Sequence, residues 1–71
     1  MNYTAMEKEF INKSIICFIQ SKDKTEADLR RDIIMYLNND PNFFTDEQLT
    51  TFENLIQEVY HPNEEAASSN G

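Results

Sequence analysis

A small all-α domain is the fold class that this sequence predicts, and three observations predict it. The single glycine is the last of the 71 residues. Tight hairpins and glycine-rich phosphate loops need internal glycine, because glycine alone adopts their positive-φ backbone freely. Three threonines stand where helices would begin, and apolar residues at helical spacing follow each of them. We therefore expect one three-helix domain over residues 4–61.

Each predicted helix begins at a threonine that is followed three residues later by an acid or an amide. The pairs are Thr4 with Glu7, Thr25 with Asp28, and Thr45 with Gln48. In a capping box the threonine oxygen accepts from the backbone N–H three residues on, and the side chain there reaches back to the threonine N–H. Because aspartate is shorter than glutamate, the middle pair is the loosest match. The helices should run over about 5–21, 26–38 and 46–60.

Apolar residues recur at helical spacing in each segment, most regularly in the third. The third stripe is Leu49, Phe52, Ile56 and Val59. The second stripe is Ala27, Leu29, Ile33, Ile34 and Leu37, and the first segment carries the stripes Met6–Phe10–Cys17 and Ile11–Ile15–Phe18. Such stripes are typical of amphipathic helices that pack on one another. After Pro62 the chain is small, polar and acidic, so residues 62–71 are expected to form a disordered tail.

Five consecutive apolar residues, Ile15 to Ile19, give the first helix an unusual demand for burial. They cover every side of a helix, and a helix that is apolar all round must be buried all round. Two partner helices would leave part of it uncovered, so we expect a symmetric homodimer, the commonest oligomer. The expected interface residues are Ile11, Ile15, Ile16, Phe18 and Ile19. Two alternatives stay open: a single-chain core with partly exposed isoleucines, or a strand over residues 14–19, whose β-branched and aromatic composition suits one.

Charge is distributed unevenly along the chain. From Met1 to Leu37 six acids and six bases cancel, whereas from Asn38 onward there are seven acids and no base, which together account for the net charge of −7. On the third helix the acids fall opposite the apolar stripe, and Glu53 and Glu58 have no lysine at the i±4 positions that usually neutralise a helix face. The expected partner-binding residues are Asp40, Asp46, Glu47, Glu53 and Glu58.

This acidic face suggests a regulator or inhibitor that binds a basic surface of a partner protein. One specific form is a DNA mimic of the phage type, an antagonist of a DNA-binding protein, because carboxylates three or four residues apart on a helix lie about 5–6 Å apart. The alternative is an accessory or assembly subunit that docks through the hydrophobic surface of the first helix. A third interpretation is a small DNA-binding domain that uses Arg30 and Arg31. The plain alternative to all of these is that the charge serves only solubility.

Catalysis, cofactor binding and metal binding are not expected. The single cysteine, Cys17, and the single histidine, His61, cannot form an internal disulfide or a closed zinc site. Cys17 lies in an apolar run and is expected to be a small buried hydrophobe. Direct contact with nucleic acid is not expected, since acids interrupt every cluster of bases. The longest apolar run is far shorter than the roughly 20 residues of a membrane span. Without a signal peptide or disulfide framework, we expect a cytoplasmic protein.

Overall fold

Three α helices make up the fold of the computed structural model, which describes residues 3–62. Helix α1 spans Ala5–Ser21, α2 spans Glu26–Asn39 and α3 spans Asp46–Tyr60. The prediction of a small all-α domain is confirmed, and α2 ends one residue later than expected. No strand occurs within the described range, so the strand alternative for residues 14–19 is wrong. The predicted tail lies outside the described residues, apart from Pro62.

The three predicted threonine caps are confirmed. The hydroxyl oxygens of Thr4 and Thr45 accept from the backbone N–H three residues on, each at 3.1 Å, and both boxes are completed by the returning side chain. Thr25 accepts from the Asp28 N–H at 3.2 Å, but no returning bond forms there. The shorter aspartate explains this difference, because its carboxylate does not reach the N-cap N–H and binds Arg31 instead.

The end of α1 depends on a left-handed residue. Lys22 has φ 56°, and the backbone N–H groups of Lys22 and Asp23 donate to the carbonyls of Ile19 and Phe18 at 3.4 and 3.2 Å. These bonds satisfy carbonyl groups that the last turn leaves without partners. Glycine is the usual residue in this conformation. Here lysine adopts it, since the chain has no internal glycine.

The core forms where α1 packs against α2 and α3. Its seven buried members are Ile15, Ile19, Leu29, Phe43, Phe44, Phe52 and Ile56. Ile15 and Ile19 lie four residues apart, so they project from the same side of α1. The side of α1 that bears Ile15 and Ile19 therefore packs against both α2 and α3, and this contact forms the centre of the core.

The loop between α2 and α3 belongs to the core. Phe43 and Phe44 are 3% and 4% exposed, so this loop pair is enclosed within the domain. Phe43 stacks on Tyr36 with ring centroids 4.9 Å apart, and Phe44 meets Phe52 edge to face at 5.1 Å. Tyr3 closes the cluster against Phe43 at 5.1 Å. Edge-to-face and offset pairs of this kind add to simple burial, so the loop anchors α3 to α2.

Helix α1 is not buried all round. Ile11, Ile16 and Phe18 are half-buried, which agrees with the single-chain alternative of partly covered apolar residues. Cys17 is exposed, so its predicted burial is wrong. The reason is geometric: the side of α1 that carries Ile15 faces the other helices, and residue 17 projects about 160° away from residue 15 by the helical repeat of 3.6 residues per turn.

A matched pair of isoleucines tests this assignment of the core. Ile19 is 0% exposed and Ile34 is 56% exposed. Ile19→Val is expected to lower the free energy of unfolding by about 1 kcal/mol, because it removes a methylene from a packed site. Ile34→Val makes the same chemical change on a helix surface and should stay within about 0.5 kcal/mol of the parent. Urea unfolding followed by circular dichroism measures both, and equal losses would contradict the core described here.

Candidate functional site

The outward side of α3 carries the candidate site. Asp46 and Glu47 are exposed in the first turn, and Glu58 is exposed near the last. Phe52 and Ile56 hold the opposite side of the helix in the core. Eleven residues separate Glu47 from Glu58, so the two project within roughly 20° of each other and lie about 16 Å apart along the axis.

None of these three carboxylates has a salt-bridge partner within residues 3–62. Asp46 and Glu47 are additionally favoured by the helix dipole, because the amino end of a helix carries partial positive charge. Glu58 has no such support and lies near the carboxyl end, where negative charge is disfavoured. Glu58 is therefore the carboxylate of α3 for which the local structure supplies no stabilising contact.

Glu53 has a neutralising base, contrary to the expectation from the sequence. The guanidinium group of Arg30 on α2 binds both carboxylate oxygens of Glu53, and Nη2 lies 3.3 Å from Oε2. Bidentate contacts of this kind are among the stronger ion pairs in proteins. The sequence argument missed this pair because it looked for bases within one turn on the same helix, whereas Arg30 lies 23 residues away.

Arg30 also connects Glu53 to a second carboxylate. Its Nε donates to Glu26 at 2.9 Å, and His61 Nε2 contacts the other oxygen of Glu26. Hydrogen bonds from Arg30 and then from His61 hold the pKa of Glu26 below its usual value of 4.5. The contact with Glu53, followed by that with Glu26, raises the pKa of Arg30. This ionic cluster, Glu26, Arg30, Glu53 and His61, joins α2 to the middle of α3 and to the residue that follows its last turn.

Asp40, the remaining predicted contact residue, lies outside α3 and holds the α2–α3 loop. Its carboxylate accepts from Lys8 Nζ at 2.9 Å and from the Asn42 backbone N–H at 3.0 Å. The Lys8 bond, supported by the Asn42 bond, lowers the pKa of Asp40 below 3.8. The acid is thus engaged in linking α1 to the loop, and its charge is already matched by a base.

The bases of the chain are largely paired with carboxylates. The pairs other than those of Arg30 are Lys8 with Asp40, Lys13 with Glu9, Lys24 with Asp32, and Arg31 with Asp28. Arg30 and Arg31 project about 100° apart on α2, and each binds an acid. The two arginines therefore do not form the joint basic face that a DNA-binding interpretation requires.

Two apolar surfaces are also exposed to solvent on the described part of the protein. Met6 and Phe10 on α1 are 81% and 71% exposed. Ile33, Ile34 and Leu49 line a shallow groove between α2 and α3, which ends at the Arg30–Glu53 pair. Large exposed apolar side chains that lie together often mark contact surfaces, and Met6 and Phe10 lie one helical turn apart.

Over residues 3–62, no three side chains of histidine, cysteine, aspartate or glutamate converge as the ligands of a metal ion would. In the same part of the chain, no helix has both the length and the apolar character needed to cross a membrane.

Comparisons with family models, with curated proteins and with solved structures found no match for this chain. Any statement about its function therefore depends on its own residues.

The ionic cluster predicts an acid-sensitive contribution to stability. The pKa of Glu26 is lowered in the folded state, so its contribution is present above the unfolded value near 4.5 and is lost as pH falls through the folded value. Glu26→Gln should be less stable than the parent at about pH 5, and this difference should vanish towards pH 2. The pH series begins at about pH 5, below the range in which histidine ordinarily titrates, so that a change in histidine charge does not contribute to the measured difference. Urea unfolding at successive pH values measures it.

Glu58→Gln is the matched control for that series. Glu58 is an exposed glutamate without an ion pair among residues 3–62. Its variant should not show the loss expected for Glu26→Gln, and it should be as stable as the parent or slightly more stable, because a negative charge near the carboxyl end of α3 is removed. A difference for Glu26→Gln that did not change with pH would show that the ion pair is not its source.

Proposed function

We propose that this chain is a non-enzymatic regulator or inhibitor that places the outward side of α3 against a basic surface of a protein partner. The observation that carries the proposal is the group of three exposed carboxylates, Asp46, Glu47 and Glu58, on one helix. Most other carboxylates of the described chain bind a base or a cap. The proposed contact therefore uses carboxylates that have no salt-bridge partner among the described residues.

Glu53 adds to this surface in a weaker way. Its carboxylate is 53% exposed although it binds Arg30. Two carboxylates, Glu26 and Glu53, share that single guanidinium group, so the ionic cluster retains one negative charge while His61 is neutral. By the helical repeat Glu53 projects about 120–140° away from Glu47 and Glu58, so this negative charge lies on the side of α3 that faces Arg30 of α2. Asp40 is left out of the proposed contact because Lys8 already neutralises it.

The spacing of the carboxylates argues for a basic protein surface in general. Glu47 and Glu58 lie about 16 Å apart along the axis, and Asn54, the residue between them on that side of the helix, is uncharged. A DNA mimic would need a denser row, at the 5–6 Å that separates neighbours on a helix face. We therefore propose a partner whose bases lie opposite the two ends of α3, and a nucleic-acid-binding protein is one case of such a partner.

Long-range electrostatic attraction would affect the association rate of the two proteins more than their affinity. Complementary charges steer the encounter, and salt screens that attraction over about 8–10 Å at ordinary ionic strength. The exposed thiol of Cys17 suits a reducing compartment, so we propose that the protein acts in the cytoplasm.

A second candidate function is supported by the exposed apolar residues of α1. An accessory or assembly subunit would dock through Met6 and Phe10, which are the two most exposed of the large hydrophobic residues described. Binding of that kind depends on apolar burial and is nearly indifferent to salt. The salt dependence of partner binding therefore separates the two candidates.

A charge reversal on α3 tests the leading proposal. Glu58→Lys should weaken partner binding by about tenfold or more, since it places a like charge against the basic surface. It should not unfold the protein, because a lysine near the carboxyl end of a helix is favoured by the dipole. The measurement is capture from a cell lysate at low and high salt, with partners identified by mass spectrometry, followed by titration of the purified partner.

Asp23→Lys is the control of equal charge change. Asp23 is exposed in the α1–α2 loop and forms no ion pair among the described residues, so the variant has the same net charge as Glu58→Lys. It should keep most of the partner affinity. If both variants lost the partner equally, net charge alone would govern binding and the assignment of the contact to α3 would be wrong. If Glu58→Lys bound fully at every salt concentration, docking through α1 would replace the proposal.

A further inference from the structure

The exposed side of α1 carries an apolar strip that nothing in the described chain covers. Met6, Phe10 and Cys17 are all exposed. By the helical repeat they project within about 40° of one another, on the side away from Ile15 and Ile19. Burial of large apolar side chains such as methionine and phenylalanine is favourable in water, so covering this strip would favour association.

The charges beside this strip identify the partner it fits. Glu9 and Lys13 flank Phe10, with side chains 66% and 72% exposed, and they pair at 3.4 Å within the helix. Glu7 borders Met6 and Phe10 on the other edge of the strip, where its carboxylate accepts from the Thr4 backbone N–H at 2.8 Å. The ion-paired charges on this side of α1 are thus one acid and one base, whereas the outward side of α3 carries only acids. A strongly basic partner would gain little here. A surface that presents both signs in a fixed order is complementary to a reversed copy of itself.

We propose that two copies of this chain pack their α1 helices antiparallel through Met6, Phe10, Lys13 and Cys17. A twofold axis midway between Phe10 and Lys13 brings Met6 of one copy against Cys17 of the other. The same axis brings Glu9 beside Lys13 of the second copy, which converts a local ion pair into two pairs across the contact. Twofold contacts of this kind close on themselves and stop at the dimer.

This contact replaces the predicted interface. Ile15 and Ile19 are buried in the core of a single chain, so they are not available to a second copy. The proposed strip lies on the opposite side of α1. It also directs the second copy away from the side of α1 that packs on α2 and α3, so the acidic surface of α3 does not lie in the contact. The inference concerns self-association and does not rest on the partner proposed for α3.

The dimer should be weak and concentration-dependent. A contact along about three turns of one helix buries less than the roughly 800 Å² per partner of a standard interface. Antiparallel helices also place opposite ends of their dipoles together, which adds a small favourable contribution. The expected behaviour is a monomer–dimer equilibrium that shifts across roughly two decades of protein concentration.

Sedimentation equilibrium of the full chain under reducing conditions is the first test. The parent should show a monomer–dimer equilibrium, and Met6→Gln with Phe10→Gln should raise the dissociation constant at least about tenfold. Ile34→Gln with Met35→Gln is the matched control, since those two residues are exposed apolar residues of α2, at 56% and 52%. Circular dichroism of each variant checks that it is folded. A monomer at every concentration, or a dimer weakened only by the α2 variant, would overturn the proposal.

A charge swap tests the antiparallel register. Glu9→Lys alone and Lys13→Glu alone should each weaken the dimer, because each places like charges across the contact. The double variant restores opposite charges and should recover most of the association. Equal weakening by the single and the double variants would overturn the proposed pairing of Glu9 with Lys13.

Cysteine cross-linking gives the geometry directly. In a Met6→Cys variant that retains Cys17, mild oxidation should produce a covalent dimer, because Cα atoms within about 7 Å can form a disulfide. The parent, with Cys17 alone, should remain largely uncross-linked, as should Met6→Cys combined with Cys17→Ser. Rapid cross-linking of the parent through Cys17 would show a different register and overturn the antiparallel arrangement. Glu58→Lys should leave all these results unchanged, so failure of either proposal is distinguishable from failure of the other.

Discussion

The packing of one side of α1 against both other helices is the interaction on which the rest of the fold depends. Ile15 and Ile19 are the residues of α1 that are fully enclosed, and Leu29, Phe52 and Ile56 close over the same region from α2 and α3. A domain of this size buries a smaller fraction of its surface than a large one. The aromatic loop between α2 and α3 adds the remaining apolar contacts, and the cross-helix ion pairs then hold the outer edges together.

Charge in this protein has two roles that the count of acids and bases does not separate. Some carboxylates are structural, such as Asp40 on Lys8 and Glu53 on Arg30. Others, on the outward side of α3, have no salt-bridge partner within the described residues and form the surface that we propose as the partner contact. Whether an acid belongs to one group or the other depends on which helix lies beside it, and the helices that supply the bases are distant in sequence.

Local features of the chain were predictable, and features that depend on packing were not. The threonine caps and the helix limits follow from hydrogen bonds between residues three or four apart, so the sequence contains all the information they require. Burial on α1 is different, since the run Ile15 to Ile19 covers every side and only the neighbours decide which side faces inward. The same reason explains the exposed Cys17 and the buried Phe43. Within the candidate site, Asp46, Glu47 and Glu58 lie exposed as expected, but the role of Glu53 required knowledge of where α2 lies.

The sharing of Arg30 between two carboxylates makes the cohesion of the fold and the availability of its surface interdependent. A basic group that approached Glu53 from outside would compete with the guanidinium group that links α3 to α2. Any affinity gained at that position would be reduced by the loosening of the two helices. Contacts at the ends of α3 carry no such penalty. The chain thus has an internal competitor at Glu53, on the α2 side of α3, so a basic group gains less there than at Glu47 or Glu58, which have no ion pair among the described residues.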